Sequence, residues 1–318
     1  MKIIIALSLA VIFSAGGYGL SLINNVLWSD NSQEKIKHLT NMAESGDMKA
    51  QTDLGFAYGN GDGVEKNNLK AVYWYNKAAQ QNYAPAQFNL GLLYESEFGN
   101  DHNLRLAREF YYKAASQGFT KAQVNLGVLY MSGRGGAVDY NQARYLFMKA
   151  AKANNSVAIY NLGYIYNYGL GVHQDNVQAA DLYNKAARLG SMRARNSLAL
   201  FYAKGLGNLP VDRKKALILL RISACQGYST AQNNLGILYA EGTVELPQDY
   251  KQAYSWFSVA FFNGLKNAAV LQNKMAKKLD EKALEKAKEL ALIYTLKYPA
   301  PNNGDDDNIL NAECRDLQ

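Results

Sequence analysis

A chain of 318 residues with 48% hydrophobic and 19% charged residues has the composition of a soluble protein, with 23 tyrosines as its one excess. Two cysteines and three histidines, His38, His102 and His173, at unrelated positions exclude a zinc motif, and no Ser/His/Asp signature or nucleophile elbow occurs. The net charge of +7 suits acidic proteins, anionic lipid or nucleic acid.

In chain order, the first element predicted is an export segment over 1–29. No charge lies between Lys2 and Asp30, and the apolar run Ile3–Phe13 is followed by Ser14, Ala15, Gly16 and Gly17. That pattern reads as a secretory signal cleaved near Gly17. The alternative is an uncleaved anchor, since Leu20–Trp28 prolongs the run enough to cross a bilayer. Either reading exports the rest of the chain to a periplasmic setting, leaves membrane association open to the anchor form and sets nucleic acid aside. Residues 30–49 follow as an N-terminal capping helix, with Leu39 and Ala43 on its apolar side and Gly46 ending it.

From residue 50 to 266 the chain repeats. The pattern Ala-x-x-x-Leu-Gly-x-x-Tyr begins at Ala50, Ala86, Ala122, Ala158 and Ala194, each 36 residues after the last, and at Ala231 with one residue more. In the fifth copy Ala199 replaces the Gly. Ala, Leu and Tyr at i, i+4 and i+8 form one stripe of a helix. A second helix follows in each copy, with columns such as Ala71, Tyr75 and Ala78, then Ala107, Tyr111 and Ala114. Asn82, Gly118, Asn154, Gly190, Gly227 and Gly264 end the second helices, the residue types that accept a left-handed backbone. Gly-x-Gly turns such as Gly61/Gly63 and Gly169/Gly171 join the paired helices, and no Lys-Ser/Thr follows to make them phosphate loops. Pro210 and Pro247 accompany one extra turn residue in copies five and six, so those turns are expected to be reshaped and to bulge.

Such strict periodicity predicts a solenoid of helix pairs. The columns, including Ala158, Leu162, Gly163, Tyr166, Gly169, Gly171, Asp175, Ala179, Tyr183 and Gly190, resemble those of the Sel1-like repeat family, a relative of the tetratricopeptide repeats. The resemblance implies an all-α fold, a right-handed α/α superhelical solenoid of helix-pair repeats, acting as a scaffold or adaptor between proteins. Some relatives carry a cysteine pair in every repeat; this chain does not, so no activity of that branch is transferred.

Residues 267–298 read as a degenerate C-terminal pair with a polar, Lys/Glu-rich last helix capped by Asp280. Residues 299–318 read as an acidic tail without structure, and Asp305-Asp306-Asp307-Asn308 lacks the Gly and distant Glu of a calcium loop. Cys225 reads as a packed thiol and Cys314 as free, although a disulfide between them is chemically permitted after export.

The predicted working surface is the side of each first helix turned away from its Ala-Leu-Tyr stripe, which in tetratricopeptide-like arrays lines the concave face. Two positions after the Ala stand Thr52, Phe88, Val124, Tyr160, Asn196 and Asn233; three after it stand Asp53, Asn89, Asn125, Asn161, Ser197 and Asn234. Six after it is a uniformly apolar column, Phe56, Leu92, Val128, Tyr164, Leu200 and Ile237, expected to pack helix against helix. The partner-binding candidates are Phe88, Asn89, Val124, Asn125, Tyr160, Asn161, Arg195 and Asn234, with aromatic anchors beside carboxamides that bind an extended peptide backbone. No catalytic residue, metal ligand or cofactor is expected. The functional readings are a scaffold or adaptor, an immunity or inhibitor protein against a toxin or envelope enzyme, and, in a different class, a cell-wall hydrolase.

Overall fold

The computed structural model describes residues 33–98 and 100–301. The export segment and residues 302–318, including Cys314 and the aspartate run, lie outside them. A helix over 33–44, α1, precedes six helix pairs. The pairs are α2 (Met48–Asn60) with α3 (Asn68–Gln80), α4 (Ala84–Leu93) with α5 (Asp101–Ser116), and α6 (Thr120–Ser132) with α7 (Tyr140–Lys152). Then come α8 (Ser156–Tyr168) with α9 (Asn176–Arg188), α10 (Met192–Lys204) with α11 (Arg213–Cys225), and α12 (Ser229–Glu241) with α13 (Tyr250–Phe262). The short α14 (Ala268–Ala276) and the long α15 (Glu281–Lys297) close the described chain. Two compact units result, the first running to Ala122 and including Arg134–Ala137, the second taking Gln123–Gly133 and the chain from Val138.

Local signals fix the helix ends. An Asn or Asp caps each second helix: Asn67, Asn100, Asp139, Asp175, Asp212 and Asp249 all accept a backbone N–H of the first turn. Each such cap contributes about 1 kcal/mol. At the other end Asn82, Gly118, Asn154, Gly190, Gly227 and Gly264 all have positive φ, between 54° and 104°. That conformation turns the chain into the next first helix.

The pairs are held by a ring packed on a glycine. Tyr75 covers Gly55, Tyr111 covers Gly91, Phe147 covers Gly127, Tyr183 covers Gly163 and Phe257 covers Gly236, each ring so close that a Cβ on the glycine would lie 2.5–2.8 Å from it. The absent side chain lets the two helices approach, and the ring fills the space between them. Tyr111, Phe147, Tyr183 and Phe257 are at most 1% exposed.

A second device was not foreseen. The residue directly after the repeat Ala is buried in every copy: Gln51, Gln87, Gln123, Ile159, Arg195 and Gln232. In four copies it bonds the residue that closes the second helix of its own pair, just before the left-handed turn. Gln81 Nε2 donates to Gln51 Oε1 at 2.9 Å and Gln117 Nε2 to Gln87 Oε1 at 2.7 Å. Arg195 donates to Gln226 Oε1, and Asn263 Nδ2 to Gln232 Oε1 at 2.9 Å. In the fourth copy the corresponding positions hold apolar residues, Ile159 and Leu189.

Three expectations are corrected. Cys225, 5% exposed, is disulfide-bonded rather than a packed thiol, and Cys314 is the one other cysteine of the chain. The last helix is not polar throughout: α15 is capped by Asp280 as expected, but Leu292, Ile293 and Leu296 are 63%, 55% and 76% exposed. The apolar column six residues after the Ala divides: Val128 and Ile237 pack against the core as expected, whereas Phe56, Leu92 and Leu200 are 53%, 38% and 49% exposed.

Candidate functional site

The eight predicted partner-binding residues do not share one fate. Phe88 is half-buried, its ring 5.7 Å from Tyr111 and 5.3 Å from Phe119. Tyr160 is likewise half-buried, 5.7 Å from Tyr183. Both therefore pack on the ring that covers the glycine of their own repeat. Val124 is buried in the cluster around Phe147, and Asn161 is buried on α8. Asn89 and Asn125 are half-buried.

Arg195 is a correction. Its guanidinium is buried, donates to the Gly190 carbonyl at 2.8 Å and to Gln226, and is held below the usual arginine pKa by burial. A group engaged this way ties the start of α10 to the end of α11 and to the turn before it, and is withheld from a partner. Asn234 keeps its place on the surface: half-buried, it donates from Nδ2 to Asn196 Oδ1 at 3.0 Å, tying α12 to α10.

That amide pair stands at the rim of a recess of about 440 Å³ lying wholly within the second unit. Leu217, Leu220 and Ala216 of α11 form its floor; Ala199, Leu200 and Ala203 of α10 and Ile237 and Leu238 of α12 form its walls. Arg213, Thr243 and Glu245 complete the lining. The volume falls in the range of small-ligand and side-chain pockets, apolar with a few polar groups at the edge.

The recess has a cause in the repeat. Only the fifth copy has Leu220 where the others place Tyr or Phe, and Ala199 where the others place Gly. Both of these residues line the recess, where the other copies place a ring on a glycine. The reshaped turn of copy six adds to it: Leu246 is buried and Val244 is 93% exposed, so this turn bulges as expected, and Thr243 and Glu245 reach the recess. The Ala199 substitution was visible in the sequence; its pairing with Leu220 was the signal that would have located the site.

Comparison with known proteins agrees with this architecture. The Sel1 repeat family model matches residues 49–83, 84–119, 120–155, 156–191, 193–228 and 229–261. The chain belongs to the Sel1 repeat family. Among solved structures it is similar to a Sel1 repeat protein from Oxalobacter formigenes, 33% identical, with 77% of this chain and 97% of that chain covered and a TM-score of 0.68. It is also similar to c5321, a protective antigen present in uropathogenic Escherichia coli strains, at 28% identity over 84% of this chain and 72% of that one, TM-score 0.42. A third is the immunity protein Pa5087 from Pseudomonas aeruginosa, at 26% identity over 59% and 74%, TM-score 0.43. No curated protein matches the chain significantly. Sel1 repeats generally mediate protein–protein interaction, and the family is typically a non-catalytic scaffold. Among the described residues no helix is long and apolar enough to cross a membrane.

Proposed function

We propose that this Sel1 repeat chain is an exported protein-binding module that captures an extended segment of a partner on its first helices, with the recess of repeats five and six as the anchor pocket. The observation that carries the reading is the ring missing at Leu220, which leaves an open apolar recess in an array that elsewhere fills the same space. Leu200 and Ile237, from the apolar column, wall that pocket, and Asn196 and Asn234 offer carboxamides to a peptide backbone beside it. An apolar anchor side chain in a desolvated pocket supplies most of the energy of such an interface. Export is supported by the apolar run Ile3–Phe13 and by a disulfide-bonded Cys225, a state favoured outside the cytosol. An immunity or inhibitor role is the special case in which the captured partner is a toxin or envelope enzyme.

The test is selection of peptides from a random library on the full chain, followed by Kd measurement. The selected peptides should share an apolar anchor, and Leu200→Glu should weaken them by at least about tenfold, roughly 1.4 kcal/mol. Equal binding by wild type and Leu200→Glu sinks the reading.

A further inference from the structure

We propose that the recess of repeats five and six takes an aromatic ring, the side chain of a Phe or Tyr in the partner, from a segment that carries a carboxylate about three residues away. The inference deepens the anchor-pocket reading above and rests on it for the place of docking. Two observations on the lining decide the chemistry of the occupant.

The first is what the repeat omits. In the other five copies a Tyr or Phe lies on the repeat glycine, close enough to fill the space that the missing side chain opens. The fifth copy has Leu220 and Ala199 at those two positions, and both line the recess. The rest of its apolar lining is aliphatic too, with Leu200, Leu217, Ile237 and Leu238 its largest members and no ring among them. A closed apolar cavity of about 150 Å³ already holds a benzene molecule, and this recess measures about 440 Å³. An aliphatic anchor leaves more of it empty, and lining atoms beside a gap lose their contacts outright. A ring brings the larger apolar surface with two torsions to fix.

The second is charge. Arg213, Ala216, Leu217 and Leu220 stand at i, i+3, i+4 and i+7 on one face of α11, and all four line the recess. Arg213 therefore lies about 10 Å along the helix from Leu220, the span of about three residues of extended chain. It is exposed, as are Lys214, which follows it, and Lys204, which follows Ala203 of the lining. Lys215 is instead drawn over the Tyr202 ring at 4.3 Å. Glu245 is the one carboxylate of the lining, so the cations prevail around the α11 end. A carboxylate meets the planar fork of an arginine with two parallel hydrogen bonds. A segment with a ring over Leu220 and an acid over Arg213 satisfies both features, and a basic segment is turned away.

The probes are N-acetyl-phenylalaninamide and N-acetyl-leucinamide, titrated into the full chain and followed by ligand-detected NMR. The phenylalanine probe should bind at least about fivefold more tightly, and A199G/L220F, which restores the ring, should abolish the difference. Leu200→Glu serves in its place if that double variant loses its far-UV circular dichroism. Of acetyl-Phe-Gly-Gly-Asp-amide and acetyl-Asp-Gly-Gly-Phe-amide, at least one should bind severalfold more tightly than its Asn counterpart. Arg213→Glu should erase that advantage and leave the phenylalanine preference in place. Equal binding of the two amides, a preference that survives closure of the recess, or tetrapeptides indifferent to Asp against Asn overturns the proposal. Library peptides that dock here through aliphatic anchors would overturn it while upholding the docking reading. The amide probes need no partner, so failure of peptide selection leaves their preference expected.

Discussion

One methyl group added to Gly91 places a Cβ 2.5 Å from the Tyr111 ring. The ring cannot retreat, because it is fully buried and its hydroxyl donates to Glu95 at 2.8 Å. Gly91→Ala is therefore expected to cost about 1–3 kcal/mol, seen as a lower denaturation midpoint in urea. The rings also carry a pH signature. Burial, and for Tyr75 the nearby Asp53 carboxylate, raises the Tyr75 pKa; burial, and then Tyr160, raises that of Tyr183. A phenol whose folded pKa exceeds its unfolded value of about 10 favours the folded state below that pH, and the contribution is lost as pH rises through the folded pKa. Thermal midpoints should fall above about pH 10, and Tyr183→Phe should blunt that fall.

Among the helices, the unforeseen feature is the latch that closes the helix pair in four copies. The Ala, Leu and Tyr stripe was legible because it repeats at helical spacing. The column beside it was not, because its residues are mixed: Gln, Ile and Arg look like surface unless their partners thirty residues on are read with them. Arg195 reads as a binding residue in the sequence for this reason. Counting angles from one stripe also treats each first helix as facing one neighbour, whereas α10 packs on both α9 and α11. Phe88, Val124 and Tyr160 were thereby placed outside when they pack against rings, and Leu200 was placed inside when it is half-exposed. Arg195→Ala leaves the Gly190 carbonyl and Gln226 without their charged donor, an expected loss of about 1.5–3 kcal/mol. The double change R195I/Q226L installs the apolar residues that stand at these two positions in repeat four, Ile159 and Leu189, and should recover most of that loss in thermal unfolding.

At the scale of the whole chain, the fold class was readable from periodicity, left-handed Asn and Gly positions, and the Asp280 cap. The site was half readable: Asn234 was named and Ala199 noticed, but the recess needs Leu220, and the two meet only when helices pack. The bonded state of Cys225 was also beyond sequence reach, since a packed thiol and a bonded cysteine read alike in that column. Replacing buried Cys225 by Ser removes its disulfide, so it should cost about 2–4 kcal/mol in urea unfolding. The decisive comparison restores the missing ring with A199G/L220F, which gives repeat five the residues of the other five copies. Peptides selected on the full wild-type chain should bind this variant at least about tenfold more weakly while its thermal midpoint is equal or higher. Unchanged affinity in a folded A199G/L220F chain would contradict the assignment of the recess as the docking site.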